Sequence, residues 1–269
     1  MIRNLINPKK MKKIITLLTF FLLISCSSDD TEETPTNIQD LNVTFTVGNT
    51  DLVIDEKLTI TLQSNKSMHH IQIFIDGVRV IDQVFSGFNA NSSFYFDYDT
   101  LGSKTIKFKV WSDENEAQVV EKTVNVSVTR GNAIKITKAQ IISFTNIDGT
   151  WDSEYADTDI NRLADVLFAL EKRVTRIYED GSYFSNFLIS TVKENQGDLT
   201  WDLSSENLFL NPNKILRLNV ADIDTDFNQS LLDGFTRDIS FSEYIETQPS
   251  TITVSYPSIH FEMILDIEW

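Results

Sequence analysis

Lys104-Thr105-Ile106-Lys107-Phe108-Lys109-Val110-Trp111 sets apolar Ile106, Phe108 and Val110 against polar Thr105, Lys107 and Lys109. Successive side chains of a strand point to opposite faces, so this period of two buries one face and wets the other. The same alternation returns in Val124, Val126 and Val128, within the run from Val119 to Val128. Two such runs, close in sequence, read as antiparallel strands of a sheet packed on one side only.

Toward the N-terminus lie shorter runs of the same kind: Val43 to Val47, Leu58 to Leu62, Ile71 to Ile75 and Ser93 to Phe96. Asp76-Gly77 separates Ile71 to Ile75 from Val78-Arg79-Val80-Ile81, and Asp-Gly supplies the left-handed backbone that a tight hairpin needs. Residues 41–130 are therefore expected to form one antiparallel sandwich. Gly131-Asn132-Ala133 reads as the joint to a second set of strands, beginning at Ile134 to Phe144. Its further members are Val166 to Leu170, Val174 to Tyr178, Phe187 to Val192, Lys214 to Val220, Thr251 to Val254 and Ile259 to Trp269. Asp159 to Lys172 is ambiguous. Ile160, Leu163, Leu167 and Leu170 fall near helical spacing behind Asp159 as N-cap, yet a strand from Val166 is preferred. The expected fold class is all-β, two antiparallel sandwiches covering 41–130 and 131–269.

The 269 residues are 41% hydrophobic, enough to fill two cores. Against 23 Lys and Arg stand 39 Asp and Glu, a net charge of −16, which argues against nucleic acid and anionic head groups as direct electrostatic partners. One cysteine leaves no intramolecular disulfide and no Cys-rich zinc site. No Gly-x-Ser-x-Gly, P-loop or His-Glu-x-x-His pattern occurs, so the chain is read as no enzyme. His69-His70 and His260 are not read as metal ligands. Trp111, Trp151, Trp201 and Trp269 are read first as packing residues, with stacking on sugar rings as the alternative.

The lone cysteine has a specific place. Lys9, Lys10, Lys12 and Lys13 precede an apolar run from Ile14 to Ile24, too short for a spanning helix of about 20 residues but suited to a signal peptide. Leu23-Ile24-Ser25-Cys26 resembles a bacterial lipobox, which implies cleavage before Cys26 and lipid on its sulfur. Residues 1–25 are then a signal peptide, and translation from Met11 would give the same cleavage. Residues 26–40, opening Ser27-Ser28-Asp29-Asp30-Thr31-Glu32-Glu33, form a polar tether. That acidic run resembles the surface-export signal of Bacteroidota lipoproteins and implies an outer-membrane, surface-exposed location. Residues 1–25 hold five bases and no acids, so the remaining chain has 39 acids against 18 bases, a net −21. Of this, residues 131–269 carry 23 acids and 10 bases.

Two clusters concentrate that charge. Asp148, Asp152, Glu154, Asp157, Asp159 and Asp165 include no Lys or Arg between Lys138 and Arg162. Asp222, Asp224, Asp226, Asp233 and Asp238 include no base between Arg217 and Arg237. Crowded carboxylates without counter-charges repel one another, and Ca²⁺, taking six to eight oxygens in a flexible shell, suits such a set. The alternative is that both clusters are solvated loops of an acidic envelope protein.

Two family resemblances attach to these residues. Leu101-Gly102-Ser103-Lys104 running into the strand to Val110 resembles the last hairpin of bacterial immunoglobulin-like and PKD domains, which implies a spacer or adhesive module. Asp159-x5-Asp165, Asp222-Ile223-Asp224 and Asp233-Gly234-Phe235 resemble the two Ca²⁺ loops of the C2 domain, an eight-stranded sandwich. Ile136-Thr137-Lys138, Gly149-Thr150-Trp151-Asp152-Ser153 and Glu268-Trp269 resemble a C2-like module of Bacteroidota lipoproteins. The resemblance implies Asp159, Asp165, Asp222, Asp224, Asp226 and Asp233 as ligands of Ca²⁺. Eight residues separate Asp224 from Asp233 where the family has five, and Val166 stands where it has proline. No basic strand is evident, so phospholipid binding is not expected.

The expectation is a lipid-anchored envelope protein acting as a non-catalytic binding or adhesion module, ordered by Ca²⁺ and meeting an envelope protein or glycan. Two alternatives stand beside it: a metal-free assembly lipoprotein paired with another envelope protein, and an accessory or hydrolase of polysaccharide utilisation.

Overall fold

In the computed structural model the described residues are 40–112, 118–224 and 228–269. The signal peptide and Cys26 lie outside them, as do most of the tether and Asp226. Among the described residues no helix is long and apolar enough to cross a membrane.

Among the described residues, eight strands build the first sandwich: β1 (Val43–Val47), β2 (Asp51–Val53), β3 (Leu58–Ser64), β4 (Met68–Ile75), β5 (Val78–Phe88), β6 (Asn91–Phe96), β7 (Gly102–Trp111) and β8 (Val119–Thr129). One sheet has the order β1-β3-β6 and the other β2-β8-β7-β4-β5, antiparallel except where β2 runs parallel to β8. The alternation in β7 resolves as read: Ile106, Phe108 and Val110 are fully buried, and Lys107 and Lys109 meet Glu121 of β8 on the wet face. Phe108 packs edge-on against Phe94 and Phe96 of the opposite sheet, which closes the core.

The second sandwich contains β9 (Ile134–Ser143), β10 (Val166–Thr175), β11 (Ser182–Ile189), β12 (Thr200–Asp202), β13 (Phe209–Leu210), β14 (Leu216–Ile223), β15 (Asn228–Ser230), β16 (Arg237–Ile239), β17 (Thr251–Tyr256) and β18 (Phe261–Glu268). Its sheets run β11-β10-β14-β15 and β12-β9-β18-β17, with β16 also on β14 and β13 also on β9. The pairs β12/β13 and β15/β16 are each a broken edge strand, so ten strands fill eight positions. Phe168, Leu218, Phe241 and Met263 lie at the centre of this core with no exposed surface.

The ambiguous segment resolves as a strand from Val166, because Val166, Phe168 and Leu170 all face the core. Before it comes a single 3₁₀ turn, Ile160–Arg162, whose N-cap Asp159 accepts the Asn161 N–H. Two expected strands, Val166 to Leu170 and Val174 to Tyr178, prove to be one, with a bulge against β11 at Leu170/Glu171. The next inward residue is Lys172, a charge where a core strand is expected to be apolar.

Lys172 explains how the sandwiches meet. Its Nζ lies 2.6 Å from Oδ1 of Asp55, and the two side chains are only 3% and 2% exposed. Asp55 Oδ2 accepts the Asn211 N–H at 2.8 Å. Asp97 accepts from both the backbone N–H and the hydroxyl of Thr175. The Tyr95 N–H donates to the Ile177 carbonyl at 2.8 Å, and Phe209 of the second sandwich packs into the core of the first. Residues 40–269 accordingly form one compact unit. Gly131 at the joint has φ +57, and a Cβ there would come within 2.6 Å of Val53.

Candidate functional site

Antiparallel pairing of β10 with β14 sets Val166 opposite Asp222. The residues before β10 and those at the end of β14 therefore occur at one end of the sandwich. Asp165 and Asp222-Ile223-Asp224 come together for this reason. The Asp165 N–H donates to Asp222 Oδ1 at 2.7 Å, and the Ile223 N–H donates to the Asp165 carbonyl at 2.9 Å.

Two further segments complete the site. The loop between β9 and β10 folds over Arg162, whose carbonyl accepts from the N–H groups of Trp151 and Asp152, and whose guanidinium donates to the carbonyls of Asp148 and Gly149. Trp151 Nε1 donates to the Asn146 carbonyl, and its ring lies edge-on to Phe144. Gly149 approaches so closely that a Cβ would lie 2.9 Å from the Asn146 carbonyl oxygen. The second segment, after β11, bridges Val166 through Lys193 and brings the Asn195 N–H to Asp165 Oδ1 at 2.7 Å.

Together these segments enclose an open cavity of ≈ 510 Å³. Asp152, Glu154, Asp165, Glu194 and Asp224 line it, with the Trp151 and Tyr155 side chains on one wall. Among the described residues no salt bridge reaches Asp152, Asp165, Asp222 or Asp224, because Arg162, the nearest base in sequence, is committed to backbone carbonyls. Asp222 is 1% exposed, and its Oδ2 has no hydrogen-bond partner among the described residues.

An unpaired carboxylate out of water favours its neutral form. Burial pushes the Asp222 carboxyl up to about 6; the Asp165 N–H opposes this, and the charges of Asp224 and Asp165 add to it. Lost hydration, contact with the Asp224 carboxyl and the charges of Asp224, Asp222 and Glu154 push Asp152 up to about 7. The site thus holds more negative charge than its surroundings balance.

Of the six residues expected as metal ligands, Asp165, Asp222 and Asp224 are brought together. Asp159 spends its carboxylate on capping the 3₁₀ turn, and Asp233 lies at φ 57 in the exposed turn between β15 and β16. Asp226 is outside the described residues. Among the described residues no three Asp, Glu, His or Cys side chains converge closely enough to hold a metal ion. Asp152 and Glu194 complete the acidic lining. Asp152 was legible as part of a base-free run, whereas Glu194 carries no signal in sequence. His70 is buried, 2.7 Å from Asp82 and stacked on Trp111, remote in sequence from this site.

No protein-family model matches the chain, and no curated protein matches it. Alignment with solved structures includes dimeric latent PorU from Porphyromonas gingivalis, at 12% identity over 77% of this chain and TM-score 0.29. The chain spans about a fifth of that protein's length, 20%. Fibronectin(III)-like modules of Clostridium thermocellum CbhA align over 73% of this chain and 91% of theirs, at 10% identity and TM-score 0.26. A structure of carbohydrate-binding modules of the β-sandwich superfamily aligns over 85% of this chain and 90% of its own, at 9% identity and TM-score 0.27. At such scores the alignments carry no argument, and the sandwich fold rests on this chain's own sheets and cores.

Proposed function

We propose that this protein is a lipid-anchored, surface-exposed envelope protein that acts as a non-catalytic binding or adhesion module through the acidic end of its second sandwich. The anchor is Cys26, and the group that orders the binding end is a divalent cation, Ca²⁺. One observation carries the reading: among the described residues, Asp222 is buried with an unpartnered Oδ2, beside Asp152, Asp165 and Asp224, and no salt bridge neutralises them. Burying a charge without a partner costs several kcal/mol, so a site that keeps one is built for a counter-charge from outside the chain. Asp152, Asp165, Asp222 and Asp224, which do not converge on one point in the cation-free geometry, would have to draw together to supply the oxygens, a hard donor set that suits Ca²⁺. Bound there, Ca²⁺ would offset the repulsion of the carboxylates and fix the loops around the cavity.

Calorimetry and thermal unfolding of the mature chain with Cys26→Ser, in EDTA and in millimolar CaCl₂, test this. Saturable heat and a raised melting temperature are expected, both lost in Asp222→Asn. Neither heat nor shift in the folded chain would leave the metal-free assembly alternative, which predicts indifference to EDTA and a fixed protein partner recovered from membranes.

A further inference from the structure

Asp152, Glu154, Asp165, Glu194 and Asp224 line the acidic cavity, and the bases nearest them in sequence are held elsewhere. Arg162 donates to the carbonyls of Asp148 and Gly149, and Lys193 Nζ lies over the Trp201 ring. Behind this lining Asp222, 1% exposed, keeps Oδ2 without a partner among the described residues, and its charge acts on Asp152. The surplus of negative charge therefore runs from the solvated rim into the protein. We propose that the partner bound at this end presents an arginine whose guanidinium enters the cavity, a reading that rests on the acidic end being the binding end and not on which cation orders it.

Sign, spread and wall select that group. An anionic glycan or phosphate would meet five carboxylates of its own sign, and a neutral ligand would leave them unbalanced. Among the described residues the carboxylates do not converge on one point. A Ca²⁺ ion drawing on Asp152, Asp165, Asp222 and Asp224 would still leave Glu154 and Glu194 without a cation. A guanidinium is a planar fork of five N–H donors, so it can bond to oxygens set apart from one another, where an ammonium acts as a point charge.

Trp151 and Tyr155 stand beside the carboxylates, and the indole is fixed by its Nε1 bond to the Asn146 carbonyl and by Phe144. Guanidinium groups stack on such rings, whereas Ca²⁺ takes oxygen ligands and makes no use of them. At ≈ 510 Å³ the cavity falls within the roughly 300–1,000 Å³ of sites for small organic groups, more than a lone ion requires.

The mature chain with Cys26→Ser is titrated with acetyl-Gly-Arg-Gly-amide and with its lysine and citrulline counterparts, in EDTA and in millimolar CaCl₂, by protein-observed NMR. Saturable binding of the arginine peptide is expected in both buffers, about threefold weaker for lysine and absent for the neutral citrulline. Glu154→Gln with Glu194→Gln should weaken it about fivefold, and both side chains are exposed, so the double variant keeps the fold. No binding of the arginine peptide, equal binding of the lysine or citrulline peptide, or binding unchanged in the double variant would each overturn the proposal. The heat of Ca²⁺ binding to the same chain reports on the cation separately: its absence removes ordering by Ca²⁺, while the peptide series in EDTA still decides for or against the arginine.

Discussion

Asp222→Asn separates the charge of the acidic end from its shape. The amide keeps Oδ1 to accept the Asp165 N–H and loses the negative charge. In the native chain Asp222 has its carboxyl pushed from 3.8 up to about 6. A folded-state value above the unfolded one means that the native state binds the proton more tightly. Stability from this group is therefore greatest at acid pH and is lost as pH rises from about 4 to beyond 6. The gap between 3.8 and about 6 corresponds to about 3 kcal/mol for this fully buried side chain. Against that, the amide N–H₂ meets the site of an unpartnered oxygen, at about 1–3 kcal/mol at every pH. Urea unfolding in EDTA, between pH 4.5 and 7.5, reads the difference. Because pH 4.5 already lies above the unfolded value of 3.8, the native chain should lose about 2 kcal/mol more than the variant over that interval. Asp152, raised by the same neighbours, adds to the slope in both chains. At pH 7.5 Ca²⁺ should restore the native chain and leave the variant unchanged. Parallel pH profiles for the two chains would refute the reasoning.

Three further outcomes are expected. Lys172→Met leaves Asp55 charged and buried, and should cost about 3–5 kcal/mol in urea unfolding; a loss below 1 kcal/mol would mean that water replaces the ammonium. Gly131→Ala should destabilise by more than about 1 kcal/mol, because the residue must hold φ +57 against Val53; an unchanged midpoint would show that the joint relaxes. Cys26→Ser should abolish labelling by radioactive palmitate and release the protein from membranes, and labelling that persists would remove the lipid-anchor reading.

Alternation made most of the fold legible. Ile106, Phe108 and Val110, then Val124, Val126 and Val128, are buried as a period of two requires. The strands that escaped, Asp51–Val53, Thr200–Asp202, Phe209–Leu210, Asn228–Ser230 and Arg237–Ile239, are two or three residues long. They are strands only because β8, β9 and β14 offer them hydrogen bonds, a tertiary cause that no local pattern records. Lys172 misled in the opposite sense. A charge in a core position reads as a break in a strand, and its partner Asp55 is 117 residues away. At the acidic end, base-free runs and strand ends located Asp165, Asp222 and Asp224. The caps and turns that removed Asp159 and Asp233 depend on φ and on single hydrogen bonds, which spacing does not encode.

The placement of the interface and the acidic cavity follows from two strands. Leu41 and Asp40 bond to Gln118 at the start of β8, so the chain enters the first sandwich there. Ile54 bonds to Thr129 at the other end of β8, beside Asp55 and the interface. Eleven residues at about 3.3 Å each separate the two ends by roughly 36 Å. The second sandwich repeats the step: Lys172 and Thr175 grip the interface near the end of β10, and Asp165 precedes its start. Seven residues of extended chain between Lys172 and Asp165 put the acidic cavity roughly 23 Å from the buried pair. The buried pair of Lys172 and Asp55 lies where β10 meets the first sandwich. The interface resists bending at the joint, because bending would strip Asp55 of both Lys172 and the Asn211 N–H in a place that water does not reach.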